Sequence, residues 1–187
     1  WNQHIRSPGG GDNLFLSSIV AVDADTGKND WHYQTTPGES WDFTSTMDIE
    51  LATLTVGGKP TPVILHAPKN GFFYVIDRRT GKLISAEKIV PVNWADHIDG
   101  RTGRPVETPI ARYPGGKPQV IWPSSIGAHS VAAMSYSPLS GFAYIPTTNK
   151  ARVYVDPAGD LSRWKSNGNR ILETGTGPAP TGAQLPE

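Results

Sequence analysis

The stretch AVDADTGKNDW, residues 21–31, and its echo VIDRRTGKLIS, residues 75–85, decide the fold. Each runs from a short apolar strand into Asp-x-x-Thr-Gly-Lys and out into a second strand. The chemistry is that of a tight hairpin: the Asp side chain caps the turn, Gly takes the positive φ, and Lys opens the return strand. HIDGRTGRPVE (97–107) repeats the pattern loosely and SYSPLSGFAYI (135–145) faintly. A single copy signals only a good hairpin. Recurrence at blade-like intervals predicts a β-propeller, and the spacing from Asp23 to Asp77 suits one four-stranded blade. Trp31, in the return strand of the first copy, is placed to wedge between neighbouring blades or to fill its own.

Outward from these hairpins the chain keeps the same character. SIVAVDA (18–24), WHYQTT (31–36), PVILHA (62–67), GFFYVID (71–77), KLISAEKIV (82–90), QVIWPS (119–124), FAYIPTT (142–148) and RVYVD (152–156) are short and rich in Val, Ile, Tyr and Phe. No apolar i, i+3, i+4, i+7 stripe appears, so an all-β fold is expected. The 20 Gly and 17 Pro residues fit a chain that turns often. Propellers close with several blades, so residues 1–187 are expected to form an incomplete propeller of about three to four. The Gly/Pro-rich run 167–187 reads as a truncated loop.

Composition removes several function classes. Lys plus Arg number 17 against 17 Asp plus Glu, which leaves no electrostatic case for nucleic acid or an anionic membrane. No apolar run approaches the roughly 18 residues of a spanning helix. Cysteine is absent, so disulfides, zinc–thiolate sites and CxxCH haem attachment are excluded within these residues. The chain opens on Trp1 without a signal peptide and is expected to be processed or a piece of something longer.

One segment carries candidate chemistry. In YQTTPGESWDFTST (33–46) a lone carboxylate, Asp42, follows a Pro-Gly turn and a Trp and runs into a hydroxyl-rich strand. From the residues alone it is a solvated strand cap, a metal ligand or a general base.

The blocks RSPGGGDNLFLSSIVAVDADTGKNDWHYQTTPGESWDFTST (6–46), PKNGFFYVIDRRTGKLISAEK (68–88) and GAHSVAAMSYSPLSGFAYIP (127–146) together resemble the pyrroloquinoline quinone (PQQ)-dependent alcohol dehydrogenases of the methanol/ethanol type. The likeness runs from Trp1 to about Thr148. It implies an eight-bladed propeller of tryptophan-docking repeats that holds PQQ beside a metal ion. The expected activity is oxidation of primary or related alcohols to aldehydes, with electrons passed to a cytochrome c or quinone acceptor in the periplasm.

The resemblance also assigns residues. Asp42 stands at the position of the catalytic base, which also approaches the metal. Lys69 stands where a basic residue faces the quinone oxygens. The family's His-Asn-Trp reads here His129-Ser130-Val131, so Ser130 and Val131 take the cofactor-facing positions; Ser130 keeps a hydrogen-bonding group while Val131 lacks the indole. His129 is equally suited to structural packing. Lanthanide-using members carry a second Asp two residues after the base; Thr44 stands there, and the resemblance therefore implies calcium. Further metal ligands are expected from residues outside this chain. The competing class is a non-catalytic propeller scaffold that binds other proteins, which needs the turns and docking tryptophans but neither Asp42 nor Lys69.

Overall fold

The computed structural model describes residues 9–155 and the backbone of the two-residue strand Thr176–Gly177. Each Asp-x-x-Thr-Gly motif closes an antiparallel hairpin by backbone N–H bonds to the side chain and carbonyl of its Asp. In the first, the Thr26 N–H donates to Asp23 Oδ1 (2.7 Å) and the Gly27 N–H to the Asp23 carbonyl (2.8 Å). In the third, Thr102 and Gly103 treat Asp99 identically. At Asp77 the Arg79 N–H makes the side-chain bond (2.8 Å) while the Gly81 N–H reaches the carbonyl. The faint fourth copy uses Ser137 in place of Asp, with the Gly141 N–H on its carbonyl. These hydrogen bonds favour the ionised acid, and they lower the pKa of Asp23, Asp77 and Asp99.

The strands follow. β1 (Ser18–Val22) pairs with β2 (Asn29–Gln34). β3 (Ile49–Val56), β4 (Lys59–His66), β5 (Phe72–Asp77) and β6 (Leu83–Lys88) form one four-stranded antiparallel sheet in chain order, the arrangement expected of a blade. β7 (Ala95–Ile98) pairs with β8 (Pro105–Glu107), and β10 (Ser135–Ser137) with β11 (Phe142–Tyr144). β9 (Gln119–Ile121) pairs with β12 (Arg152–Tyr154), which also pairs with β13 (Thr176–Gly177). Among the described residues there is no α-helix, only a 3-10 turn at Pro114–Gly116.

Two features depart from the sequence reading. β3 is not among the strands marked there. Its apolar residues lie on both faces, Ile49 and Leu51 exposed and Ala52 and Leu54 packed, so no clean alternation shows. Thr176–Gly177, within the run taken as a loop, adds a strand to the β9–β12 pair. The remainder of 167–187 lies outside the described residues.

The four-stranded sheet buries both faces, which accounts for the near-continuous apolar runs of β4 and β5. On one face Ile64, Phe72, Tyr74 and Ile76 join Ile19, Tyr33, Trp41, Phe43, Trp94, Tyr113, Ile121 and Tyr154 in a core drawn from several sheets. On the other, Val63, Leu65 and Val75 pack with Met134, Tyr136 and Ile145 from around the β10–β11 hairpin. Val20, Val22, Phe142 and Tyr144 remain exposed on their strands.

Trp31 docks across sheets. Its indole lies over the β5–β6 turn, where a Cβ added to Gly81 would come within 2.6 Å of the ring. The residue is half-buried, packed against the shared core and over the turn of the next copy of the motif. Two residues on, the Tyr33 hydroxyl donates to the Gly103 carbonyl of the following turn (2.7 Å). One strand thus touches two later copies of the repeat.

Gly27 and Gly81 occupy the same turn position with the same φ of +69°, but nothing lies within 4 Å of a Cβ at Gly27. In the full-length protein, Gly27→Ala is expected to cost about 1–2 kcal/mol in chemical denaturation, the left-handed strain alone. Gly81→Ala should cost measurably more, because the methyl also displaces Trp31. Equal losses would show that the indole does not depend on close approach.

Candidate functional site

The loop Pro37–Phe43 leads from β2 toward β3, and its aromatic residues set its course. Trp41 and Phe43 are both buried and stacked on each other, with ring centroids 5.5 Å apart. Trp94 packs against both at 5.1 and 5.6 Å. With its two neighbours turned into the core, Asp42 between them is turned out. It does so at φ +67°, in the left-handed region that Asp tolerates better than most residues.

The loop is held from several directions. One oxygen of the buried Glu39 carboxylate accepts the N–H groups of Trp41 (2.6 Å) and Phe43 (2.8 Å). The Trp41 indole N–H donates to the Ala111 carbonyl, and the Tyr154 hydroxyl donates to the Trp41 carbonyl, each at 2.8 Å. The Arg112 guanidinium stands 4.3 Å over the Trp41 ring and donates to the Gly38 carbonyl, the Pro37 carbonyl and Ser40 Oγ. Glu107 holds Arg112 in turn by two bonds. Behind the loop, Ser45 Oγ meets His66 Nε2 at 2.8 Å.

The structure brings Asp42 and Lys69 together. Lys69 Nζ lies 3.2 Å from Asp42 Oδ2, with both side chains largely shielded, 14% and 19% exposed. Asp42 Oδ1 makes no hydrogen bond to a described residue, so one carboxylate oxygen stays open as an acceptor. Lys69 is locked through its backbone: its N–H donates to the Thr44 carbonyl and its carbonyl accepts from the Ala128 N–H. The following Asn70 is no exposed turn residue. It is fully buried, and its amide donates to Thr35, Thr36 and Tyr74.

The third block of the sequence reading arrives at the same place. Gly127 lies directly on the Lys69 stem; a Cβ there would collide with Lys69 Cβ at 2.7 Å and with its Cγ. His129 is fully buried, with Nδ1 facing the Ala67 carbonyl and Nε2 the Ala132 carbonyl, and it is therefore a packing histidine that pins this loop to the end of β4. Ser130 is half-buried, whereas Val131 is 100% exposed and touches nothing among the described residues. The loop borders Lys69, but among the described residues no hydrogen bond joins Ser130 or Val131 to the Asp42–Lys69 pair.

An open carboxylate oxygen beside a shielded ammonium suits two tasks: taking a proton from a hydroxyl, and offering one hard ligand to a cation. No group of three or more His, Cys, Asp or Glu side chains able to hold a metal occurs among the described residues. Among the described residues Asp42 therefore has no such cluster around it. Glu39, Arg112 and Tyr154 escaped the sequence reading. Glu39 stands inside the quoted segment, but only the folded loop shows its carboxylate turned back on its own backbone. Arg112 and Tyr154 are some 70 and 113 residues distant from their partners.

Residues 5–102 match the family model described as PQQ, glucose/ethanol/alcohol dehydrogenase, β-propeller domain. The quinohemoprotein alcohol dehydrogenase ADH IIB of Pseudomonas putida is 57% identical over 161 residues, covering 86% of this chain and 23% of that protein. The crystal structure of the quinohemoprotein alcohol dehydrogenase from Comamonas testosteroni superposes with a TM-score of 0.82 at 48% identity, over 94% of this chain and 26% of that one. A europium-containing methanol dehydrogenase gives 0.78 at 44%, over 83% and 27%. The chain thus spans about a quarter of the length of these relatives.

His66 supplies a pH test of the packing behind the site. The Asp48 carbonyl can only accept, so Nδ1 carries the proton and Nε2 accepts from Ser45. Burial, opposed by the Asp48 carbonyl, lowers the ring's pKa from 6.5. Below that value the unfolded chain takes up a proton that the folded ring resists, so stability should fall as the pH drops. In the full-length protein, denaturation midpoints at pH 7.5 and 5.5 should differ less in His66→Gln than in wild type. Equal differences would assign the acid sensitivity to other groups.

Proposed function

The chain belongs to the PQQ-dependent glucose/ethanol/alcohol dehydrogenase β-propeller family, and on that footing we propose that it is the part of a quinoprotein alcohol dehydrogenase that carries the catalytic base. The reaction proposed is oxidation of a primary or related alcohol to the aldehyde. The observation that carries the reading is Asp42 itself: an acid held at φ +67° with one oxygen on Lys69 and the other open.

In this reading Asp42 Oδ1 accepts the hydroxyl proton of the alcohol as the carbinol carbon gives up hydride. Lys69 holds the second oxygen, fixing the rotation of the carboxylate so that the open oxygen faces the substrate. The Lys69 ammonium also supplies positive charge to an oxygen that gains negative charge during the reaction. The buried aromatic floor of Trp41, Phe43 and Trp94 keeps water from beneath the pair. PQQ, when bound, supplies the two-electron acceptor, and calcium a Lewis acid.

Calcium is preferred to a lanthanide because Thr44 stands where the resemblance places the extra acid of lanthanide users. One structural neighbour is a europium-containing methanol dehydrogenase, so the two ions are set against each other in the reconstitution. Ser130 and Val131 are proposed to border the cofactor, a role supported by the contact of their loop with Lys69. A haem-bearing cytochrome c, or a quinone, is proposed as electron acceptor, since the Pseudomonas relative is a quinohemoprotein. The periplasm is proposed as the compartment on the family resemblance.

Reconstitution of metal-free full-length enzyme with PQQ tests the acid and the ion together. Calcium should restore turnover. Asp42→Asn, folded and treated identically, should turn over about 10²–10⁴-fold more slowly, because the amide keeps the shape but cannot take the proton. Turnover restored by a light lanthanide but not by calcium would overturn the ion. Wild-type turnover in Asp42→Asn would overturn the base.

A further inference from the structure

We infer that Glu39 is the positioning residue for Asp42, acting through the backbone on either side of it. The inference rests on the reading of Asp42 as the base. Glu39 is 3% exposed, an unusual setting for a carboxylate, and one of its oxygens receives the N–H groups of both residues that flank Asp42. Two N–H groups, of residues i and i+2, converge on one anion when the backbone between them pairs a right-handed with a left-handed residue. That is the geometry of a backbone nest. Asp42 is the left-handed residue.

The energetics run in the same direction. A left-handed conformation is disfavoured for a residue with a Cβ. Two charge-assisted hydrogen bonds from buried N–H groups offset that cost. Without the Glu39 carboxylate, the Trp41 and Phe43 N–H groups lose their shared acceptor within the core. The loop then has reason to relax toward negative φ at Asp42, which swings the carboxylate away from Lys69. Arg112 and Tyr154 hold Trp41 by its ring and its carbonyl, so they anchor the floor; Glu39 alone bonds to the N–H groups on both sides of the acid. Its role is therefore to set the direction of Asp42 and not to touch substrate.

The test uses full-length holoenzyme and reads structure and kinetics separately. In a crystal structure of Glu39→Ala, Asp42 should leave positive φ and its carboxylate should part from Lys69. In the same variant, with PQQ content equal to wild type, kcat should fall about 10²-fold while KM for the alcohol stays near its wild-type value, the mark of a misplaced reacting group. Glu39→Gln retains an acceptor oxygen at the same reach and should restore most of kcat and the left-handed Asp42. If Glu39→Ala does not accumulate as folded protein, Glu39→Asp, with the charge kept and the reach shortened by one methylene, is read in the same way. Asp42 unmoved in the crystal, or a loss confined to stability with kcat intact, overturns the inference. The crystallographic result stands even if Asp42→Asn retains turnover, so failure of the base assignment and failure of the Glu39 role are separately visible.

Discussion

The site depends on the burial of two aromatic rings, Trp41 and Phe43, on either side of one acid. Their stacking against Trp94 commits residues i and i+2 to the core and leaves the residue between them the outward direction. An extended strand would achieve that alternation unaided. Here the chain is bent at Asp42, and the bend gathers the neighbouring N–H groups onto Glu39 and presents the acid to Lys69. Hydrophobic burial of the pair provides most of the driving force; the polar contacts decide the angle.

The rest of the fold brings the partners to that bend. Lys69 comes from the β4–β5 connection of the four-stranded sheet, and its backbone is clamped between Thr44 and Ala128. Trp31 and Tyr33, on the strand that precedes the loop, reach the second and third copies of the turn motif. The repeats therefore do more than build similar hairpins. Their turns serve as docking points between sheets, and the candidate site lies where the 37–43 loop, the β4–β5 connection and the loop at Gly127 meet.

Much of this was legible in the sequence. The Asp-x-x-Thr-Gly motifs gave the hairpins because the turn is local: Asp, Thr and Gly bond within five residues. Asp42 and Lys69 were legible by resemblance, and their ion pair was beyond any local rule. β3 was hidden because apolar residues on both of its faces break the alternation that reveals a half-buried strand. Glu39 was hidden for a different reason. An acid near a turn reads as solvated, and its burial follows from packing that includes Arg112 and Tyr154, supplied from far along the chain. Val131 lies on the loop that borders Lys69, with its side chain exposed in this chain.

The most direct measurement is a crystal structure of the full-length protein with PQQ bound. The account predicts that the quinone lies against the Asp42–Lys69 pair, with Lys69 Nζ and the open Asp42 oxygen each within hydrogen-bond reach, about 2.6–3.2 Å, of a quinone, metal or alcohol partner. PQQ bound elsewhere, with the pair closed on itself and touching neither cofactor nor substrate, would contradict it.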